Sequence, residues 1–206
     1  MTVTMVVSIP ASDAYRTNPQ AVDQALAGIA KAPGLLEQHR GEQIEPGPEG
    51  TTVIWIFSEW DSAQAYTDFA KSELHEPLAQ IGRELAVPFA PPSFYLFPFP
   101  ALSETREKGT AAALTHPVTE VAVQKVTSPE NGARLVEIFG VIGQFMAASA
   151  FAKEVNDSSV YAVVVGWPSV EAHQQAIEGN PQGKPLIDEM QSLGETKVVH
   201  VKLRKF

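Results

Sequence analysis

Trp60-Asp61-Ser62-Ala63-Gln64-Ala65-Tyr66 is echoed later in the chain by Trp167-Pro168-Ser169-Val170-Glu171-Ala172-His173. Each stretch follows an apolar, β-branched run that reads as a strand, and in the first copy Asp61 and Ser62 offer caps to the helix that follows. Other landmarks recur in the same order. Asn18-Pro19 answers to Ser128-Pro129, and His75-Glu76-Pro77-Leu78 answers to Gly183-Lys184-Pro185-Leu186. The offsets stay within about 107 to 110 residues. Self-similarity at a fixed period points to a duplicated unit, here of roughly 100 residues.

Working outward, each copy carries the same succession of patterns. Val3 to Ile9 reads as a buried strand. Asn18 offers an N-cap and Pro19 a first helical turn, after which Val22, Ala25, Leu26, Ile29 and Ala30 fall on one helical face. Pro33-Gly34 ends that helix, Leu35 to Glu45 reads as a strand, and Pro46 to Gly50 as a turn. Thr51 to Trp60 is the strongest strand pattern in the chain. A helix bearing Ala63, Tyr66 and Ala70 follows, then a helical stretch with Leu74, Leu78, Ile81 and Leu85, and a strand over Phe94 to Phe99. The second copy gives strands at Val118 to Val126, Val160 to Trp167 and Lys197 to Leu203. Between them fall helical stripes on Leu135, Ile138, Phe139 and Ile142, on Val170, His173 and Ile177, and on Leu186, Met190 and Leu193. Phe145 to Val155 is Ala-rich and reads as a strand, with helix as the alternative. The polar stretch Ala101 to Pro117 reads as a linker. The expected division is thus 1–100, a linker at 101–117, and 118–206. Each unit is β-α-β-β-α-β, a ferredoxin-like arrangement, and the fold class is α+β. A four-stranded sheet with helices on one face must cover the other, and two copies set sheet to sheet would do so.

Composition narrows the function classes. A formal net charge of −9 with no basic run argues against nucleic acid and anionic lipid as partners. Zero Cys removes disulfides, thiolate nucleophiles and thiolate metal sites. Met1 to Ile9 is too short an apolar run for a signal peptide, and no segment reaches the ~18 apolar residues of a membrane span. The expectation is a soluble, cytoplasmic protein. The histidines are scattered and no Gly-rich phosphate loop opens a helix, so neither a metal nor a nucleotide cofactor is expected.

The doubled strand–Trp-x-Ser-x-x-Ala-(Tyr/His) junction, with its Pro-Leu continuation, resembles the dimeric α+β barrel superfamily, and most of all its antibiotic biosynthesis monooxygenase domains. The resemblance spans both copies. It implies an intramolecular dimeric α+β barrel, a pseudo-dimer within one chain, and leaves further homodimerisation open. It implies a cofactor-independent enzyme that tailors a hydrophobic cyclic metabolite of polyketide or terpenoid type, by oxygenation. A cofactor-free cyclase, isomerase or decarboxylase using the same pocket is the alternative, as is a non-catalytic binding scaffold. Relatives that degrade haem carry an Asn on the first strand, which neither Val3 to Ile9 nor Val118 to Val126 contains.

Three residues are candidates for catalysis. His173 lies on an inward helical stripe, where an ionisable group beside apolar side chains could be tuned for proton transfer. The alternative is a packing histidine with a satisfied hydrogen bond. Tyr66 holds the matching place in the first copy and could donate to a substrate carbonyl or simply pack. His75 sits at the edge of its stripe, near a pocket mouth or in solvent. His200 should point away from the side of Val199 and Val201, and His116 falls in the linker. Trp55, Phe57, Trp60, Tyr95 and Trp167 are candidates to contact an apolar substrate. Trp60 and Trp167, at the ends of equivalent strands, read first as clamps between helix and sheet. Trp55 stands out because the second copy has Ala162 in its place.

Overall fold

Strand alternation and three serine caps account for most of the architecture. The computed structural model describes residues 1–100, 109–146, 148–181 and 183–206. They divide into two compact units, Met1–Leu96 with Arg204–Phe206, and Phe97–Leu203.

The first unit runs β1 (Val3–Ala11), α1 (Asp13–Thr17), α2 (Gln20–Ile29), β2 (Leu35–Gln43), β3 (Thr52–Trp60), α3 (Ala63–Ala70), α4 (Glu76–Leu85) and β4 (Ser93–Phe97). Its strands lie in the order β4-β1-β3-β2. β1 and β3 are antiparallel from Val3 opposite Trp60 to Ala11 opposite Thr52. Period-2 alternation then sends Val3, Met5, Val7 and Ile9 to the same face as Ile54, Ile56 and Trp60. There they pack with Val22, Leu26 and Ile29 of α2, Phe69 of α3 and Leu85 of α4. The C-terminal residues belong to this unit through Arg204 to Asp23 (2.7 Å) and Lys205 to Glu37 (2.6 Å).

The second unit runs α5 (Gly109–Thr115), β5 (Val118–Val126), α6 (Pro129–Ile142), β6 (Ser149–Lys153), β7 (Val160–Trp167), α7 (Val170–Glu178), α8 (Gly183–Ser192) and β8 (Gly194–Lys205, to Leu203). Its strand order, β8-β5-β7-β6, is that of the first unit. The expected α+β class and the two ferredoxin-like units are therefore the observed ones.

The recurrent Trp-x-Ser has one physical purpose in both copies. Ser62 Oγ accepts from the Ala65 N–H (3.1 Å) and Ser169 Oγ from the Ala172 N–H (3.2 Å), so each serine starts a helix directly after its strand. Ser128 does the same for α6 through the Asn131 N–H. Asn18 departs from its expected role. Its backbone N–H closes the short helix α1 on Ala14 and Tyr15, and its side chain caps nothing; α2 begins after Pro19. Gly34, with φ +82°, makes the turn into β2, and a Cβ there would strike Ala65 at 2.5 Å.

Two further segments differ from the sequence reading. β6 is limited to Ser149–Lys153, because α6 runs on to Ile142 and Phe145 lies in the turn after it. Of the expected linker, residues 101–108 lie outside the described ones, whereas 109–115 is the helix α5. Ala111, Ala112, Ala113 and Leu114 are buried there, and Thr119 Oγ1 donates to the Ala113 carbonyl at 2.9 Å. Thr119 points opposite to Glu120, so α5 covers the face of this sheet that α6, α7 and α8 leave. No helix among the described residues is long and apolar enough to cross a membrane.

Candidate active site

Alternation along β5 sends Glu120, Ala122 and Gln124 to the helix-bearing face of the second unit. The antiparallel register places Glu120 directly opposite His200 on β8 and Ala122 opposite Val198. From α7, just past its Ser169 cap, His173 reaches the same spot. Its Nδ1 lies 2.7 Å from His200 Nε2, and its Nε2 lies 3.4 Å from Glu120 Oε2. Glu120 Oε2 also accepts the Trp167 indole N–H at 2.8 Å. The Trp167 ring stacks on His173 with centroids 4.8 Å apart. Glu120, His173 and His200 are all buried, at 7 or 8% exposure.

Glu120 and His173 form part of the wall of a cavity of about 400 Å³. The rest of that wall is mainly apolar, with Phe139, Met146, Phe151, Val165 and Ile177 among it. Ile142, Met146, Ile177 and Ile187 also line an adjoining cavity of about 220 Å³, on whose wall Trp167 lies. A ligand of several rings fits such a volume, with its polar contacts confined to one corner.

The contact between two imidazoles requires one nitrogen to donate and the other to accept. With His173 donating Nδ1–H to His200, the lone pair that can take a proton is on Nε2, on the side of the cavity wall and Glu120. The resulting imidazolium then has the Glu120 carboxylate beside Nε2 and His200 accepting at Nδ1. Trp167 holds the carboxylate and, by stacking, the ring. The three ionisable groups form a chain through opposite sides of the His173 ring. Among the described residues, no group of three His, Asp or Glu side chains is placed to hold a metal ion.

The first unit has its own cavity, of about 300 Å³, between α4 and the sheet. Met5, Val7, Ile9 and Ile56 form its sheet side, and Tyr66, His75 and Arg83 supply its polar groups. Burial raises the Tyr66 phenol above the usual tyrosine range. His75 packs edge-on against Phe69 (5.4 Å), and Arg83 is paired with Glu76 at 2.5 Å.

The expected catalytic residues thus fall into two cavities: Tyr66 and His75 together in the first unit, His173 in the second. Trp167 supports His173 and borders the adjoining cavity. Trp60 is fully buried behind Tyr66 and Phe69, with ring centroids at 5.8 and 4.7 Å. Trp55 and Phe57 alternate with Ile54 and Ile56, so they lie on the other face of the sheet; Trp55 donates to Gln43 Oε1 at 3.2 Å. Tyr95 alternates with Phe94, which borders the first cavity, and is not on its wall. His116 packs on Gly166, where a Cβ would lie 2.4 Å from its ring. Glu120 escaped the sequence reading altogether. Its signal was a lone acidic residue inside the Val118 to Val126 strand, two residues from Ala122 on the face that alternation turns inward.

No family model matches the sequence, and no curated protein matches it. Solved structures do match over nearly the whole chain. A candidate monooxygenase from Fusobacterium nucleatum superposes with a TM-score of 0.68 at 9% identity, covering 99% of this chain and 93% of the other. An anthrone oxidase-like protein gives 0.69 at 12% identity, covering 99% and 92%. A candidate chlorite dismutase gives 0.54 at 13% identity, covering 98% and 94%. At these identities the likeness is one of fold alone. The three names differ in chemistry, so function has to be argued from the site.

Proposed function

We propose that this chain is an oxygenase-type enzyme that removes a proton from an apolar, ring-bearing carbon acid or phenol in the cavity of the second unit. The observation that carries the reading is the hydrogen-bonded His173–His200 pair, flanked by Glu120, on the wall of an otherwise apolar cavity. A buried base whose conjugate acid has a carboxylate beside it suits general-base catalysis, which typically contributes about 10²–10⁴-fold. The names of the monooxygenase and anthrone oxidase-like neighbours support oxygenation as the reaction.

The chemistry balances without a further redox partner. For a substrate with an activated ring methylene, His173 Nε2 takes one proton and leaves a carbanion. The carbanion gives one electron to dioxygen, and the radical pair combines to form a C–O bond. The imidazolium returns its proton to the peroxide anion. Loss of water from the hydroperoxide leaves a ring ketone, so methylene plus dioxygen becomes carbonyl plus water. The apolar wall keeps bulk water from the carbanion, and the residues' share is binding, orientation and proton transfer. Metabolites of polyketide or terpenoid type contain such rings, and their tailoring is the role we assign.

The test is oxygen uptake by the purified chain over a panel of anthrones, polycyclic phenols and cyclic 1,3-diketones. The expected result is turnover of at least one member with oxygen consumed in equal amount, abolished in His173→Phe. Turnover without oxygen uptake would move the reading to an isomerase or cyclase using the same proton transfer. Turnover equal in wild type and His173→Phe would overturn it.

A further inference from the structure

The two units fold alike, but their cavities are equipped differently. Aligned on the registers Val3–Trp60 and Val118–Trp167, Met5 stands where the second unit has Glu120, and Tyr66 stands where it has His173. One consequence is visible at the strand ends. Trp167 donates to Glu120, while the buried Trp60 indole N–H has no hydrogen-bond partner among the described residues. The sheet side of the first cavity is therefore wholly apolar, and no imidazole–carboxylate pair faces it. What remains is a cavity of about 300 Å³ whose wall carries the Tyr66 phenol. Among the described residues the Tyr66 hydroxyl donates to nothing, and burial keeps it protonated well beyond neutral pH. Arg83, on the rim of the same wall, is paired with Glu76, and His75 packs edge-on against Phe69.

We propose that the cavity of the first unit is a second small-molecule site, which holds an uncharged fused-ring molecule by a carbonyl or ether oxygen hydrogen-bonded to Tyr66. An uncharged acceptor is the class that a neutral phenol in apolar surroundings recognises. A carboxylate would lose its hydration there against a wall that is mainly apolar. The site is independent of the acid–base chemistry assigned to the second unit, and either can fail without the other.

The test is an NMR titration of the full ¹⁵N-labelled chain with 9-fluorenone and with fluorene, which share a ring system and differ in the carbonyl. Saturable shifts are expected for the amides of Ala79 and Gly82 on α4 with both ligands. In Tyr66→Phe the affinity at these amides should fall about tenfold for fluorenone and stay within about twofold for fluorene, since only the ketone loses a hydrogen bond. Gly82→Leu should abolish the α4 shifts. A Cβ at Gly82 meets nothing within 4 Å, and Leu favours the helix, so this variant fills the cavity without loss of fold. Shifts on α7, in the second unit, report the other cavity separately. No saturable shift on α4 with either ligand would overturn the proposal. So would equal loss of fluorenone and fluorene in Tyr66→Phe, or fluorenone shifts confined to α7.

Discussion

His173, Glu120 and His200 differ in what each contributes, and substitution should separate them. His173→Phe removes the proton acceptor and should lower kcat/KM by about 10²–10⁴-fold. Glu120→Gln keeps the acceptor for the Trp167 N–H but loses the charge beside the imidazolium, so kcat should fall about tenfold or more with KM little changed. An equal loss in both variants would mean that Glu120, not His173, takes the proton. Another buried histidine serves stability instead. His39 is 1% exposed, and burial holds its imidazole below the ordinary range, while Glu37 at 2.7 Å and Lys205 push in opposite directions. The unfolded chain therefore binds the proton more readily than the folded one. The contribution of His39 is complete above a pH of about 6.5 and is lost as pH falls through that value, by at most about 1.4 kcal/mol per pH unit. Urea melts of His39→Gln should show a shallower acid limb below about pH 6.5 than wild type. Parallel limbs would mean that His39 does not titrate differently on folding. A helical stripe is enough to turn His173 toward the sheet, and alternation separates His200 from the side of Val199 and Val201. They could not bring Glu120 to them, because that requires the β5–β8 register, a pairing between segments far apart in sequence.

The helix starts are where local chemistry and function meet. Ser62 and Ser169 make the same cap bond, so replacing either by Ala should cost about 1 kcal/mol in chemical denaturation. Their effects on turnover should differ. The His173 N–H donates to the Ser169 carbonyl in the first turn of α7, so fraying there displaces the base. Ser169→Ala should therefore lower kcat/KM several-fold at a temperature where Ser62→Ala, equally destabilised, does not. These caps, the strong β-branched runs and the prolines at the starts of α2, α4 and α6 make the element order readable from the chain. Other elements were not readable, for identifiable reasons. α5 reads as linker because its run of Ala and Thr has no amphipathic stripe to announce it; it is buried nearly all round. β6 is shorter than its Ala-rich stretch suggests, because such a stretch suits a helix end, a turn and a strand alike. Trp55 reads as a ligand-site residue because the second copy has Ala162 in its place. The face it occupies followed only from its place between Ile54 and Ile56.

At the scale of the whole chain, the duplication supplies its own control, because one copy has kept an ion-pairing corner that the other lacks. Met5 is 3% exposed, so Met5→Glu would bury a carboxylate with the Trp60 N–H as its available donor and no imidazole beside it. Such an uncompensated charge should cost about 3–5 kcal/mol in urea denaturation at neutral pH. The cost should shrink in acid as the carboxyl protonates. Adding Tyr66→His restores the residue that faces Glu120 in the second unit. If the two cavities are built on one plan, the pair should interact. The double variant should be more stable than the sum of the singles predicts by about 1 kcal/mol or more, against the ~0.5 kcal/mol scatter of independent sites. The recovery should vanish at high pH, where the introduced imidazole is neutral. Additive costs would show that the Glu120–His173 geometry depends on features of the second unit other than the strand and helix that carry it. In that case the aligned positions Met5 and Tyr66 would not be structural counterparts of the active-site pair. An interacting pair, by contrast, would make the loss of charge from the first cavity a matter of two residues. The difference in ligand class between the cavities would then rest on those same two positions.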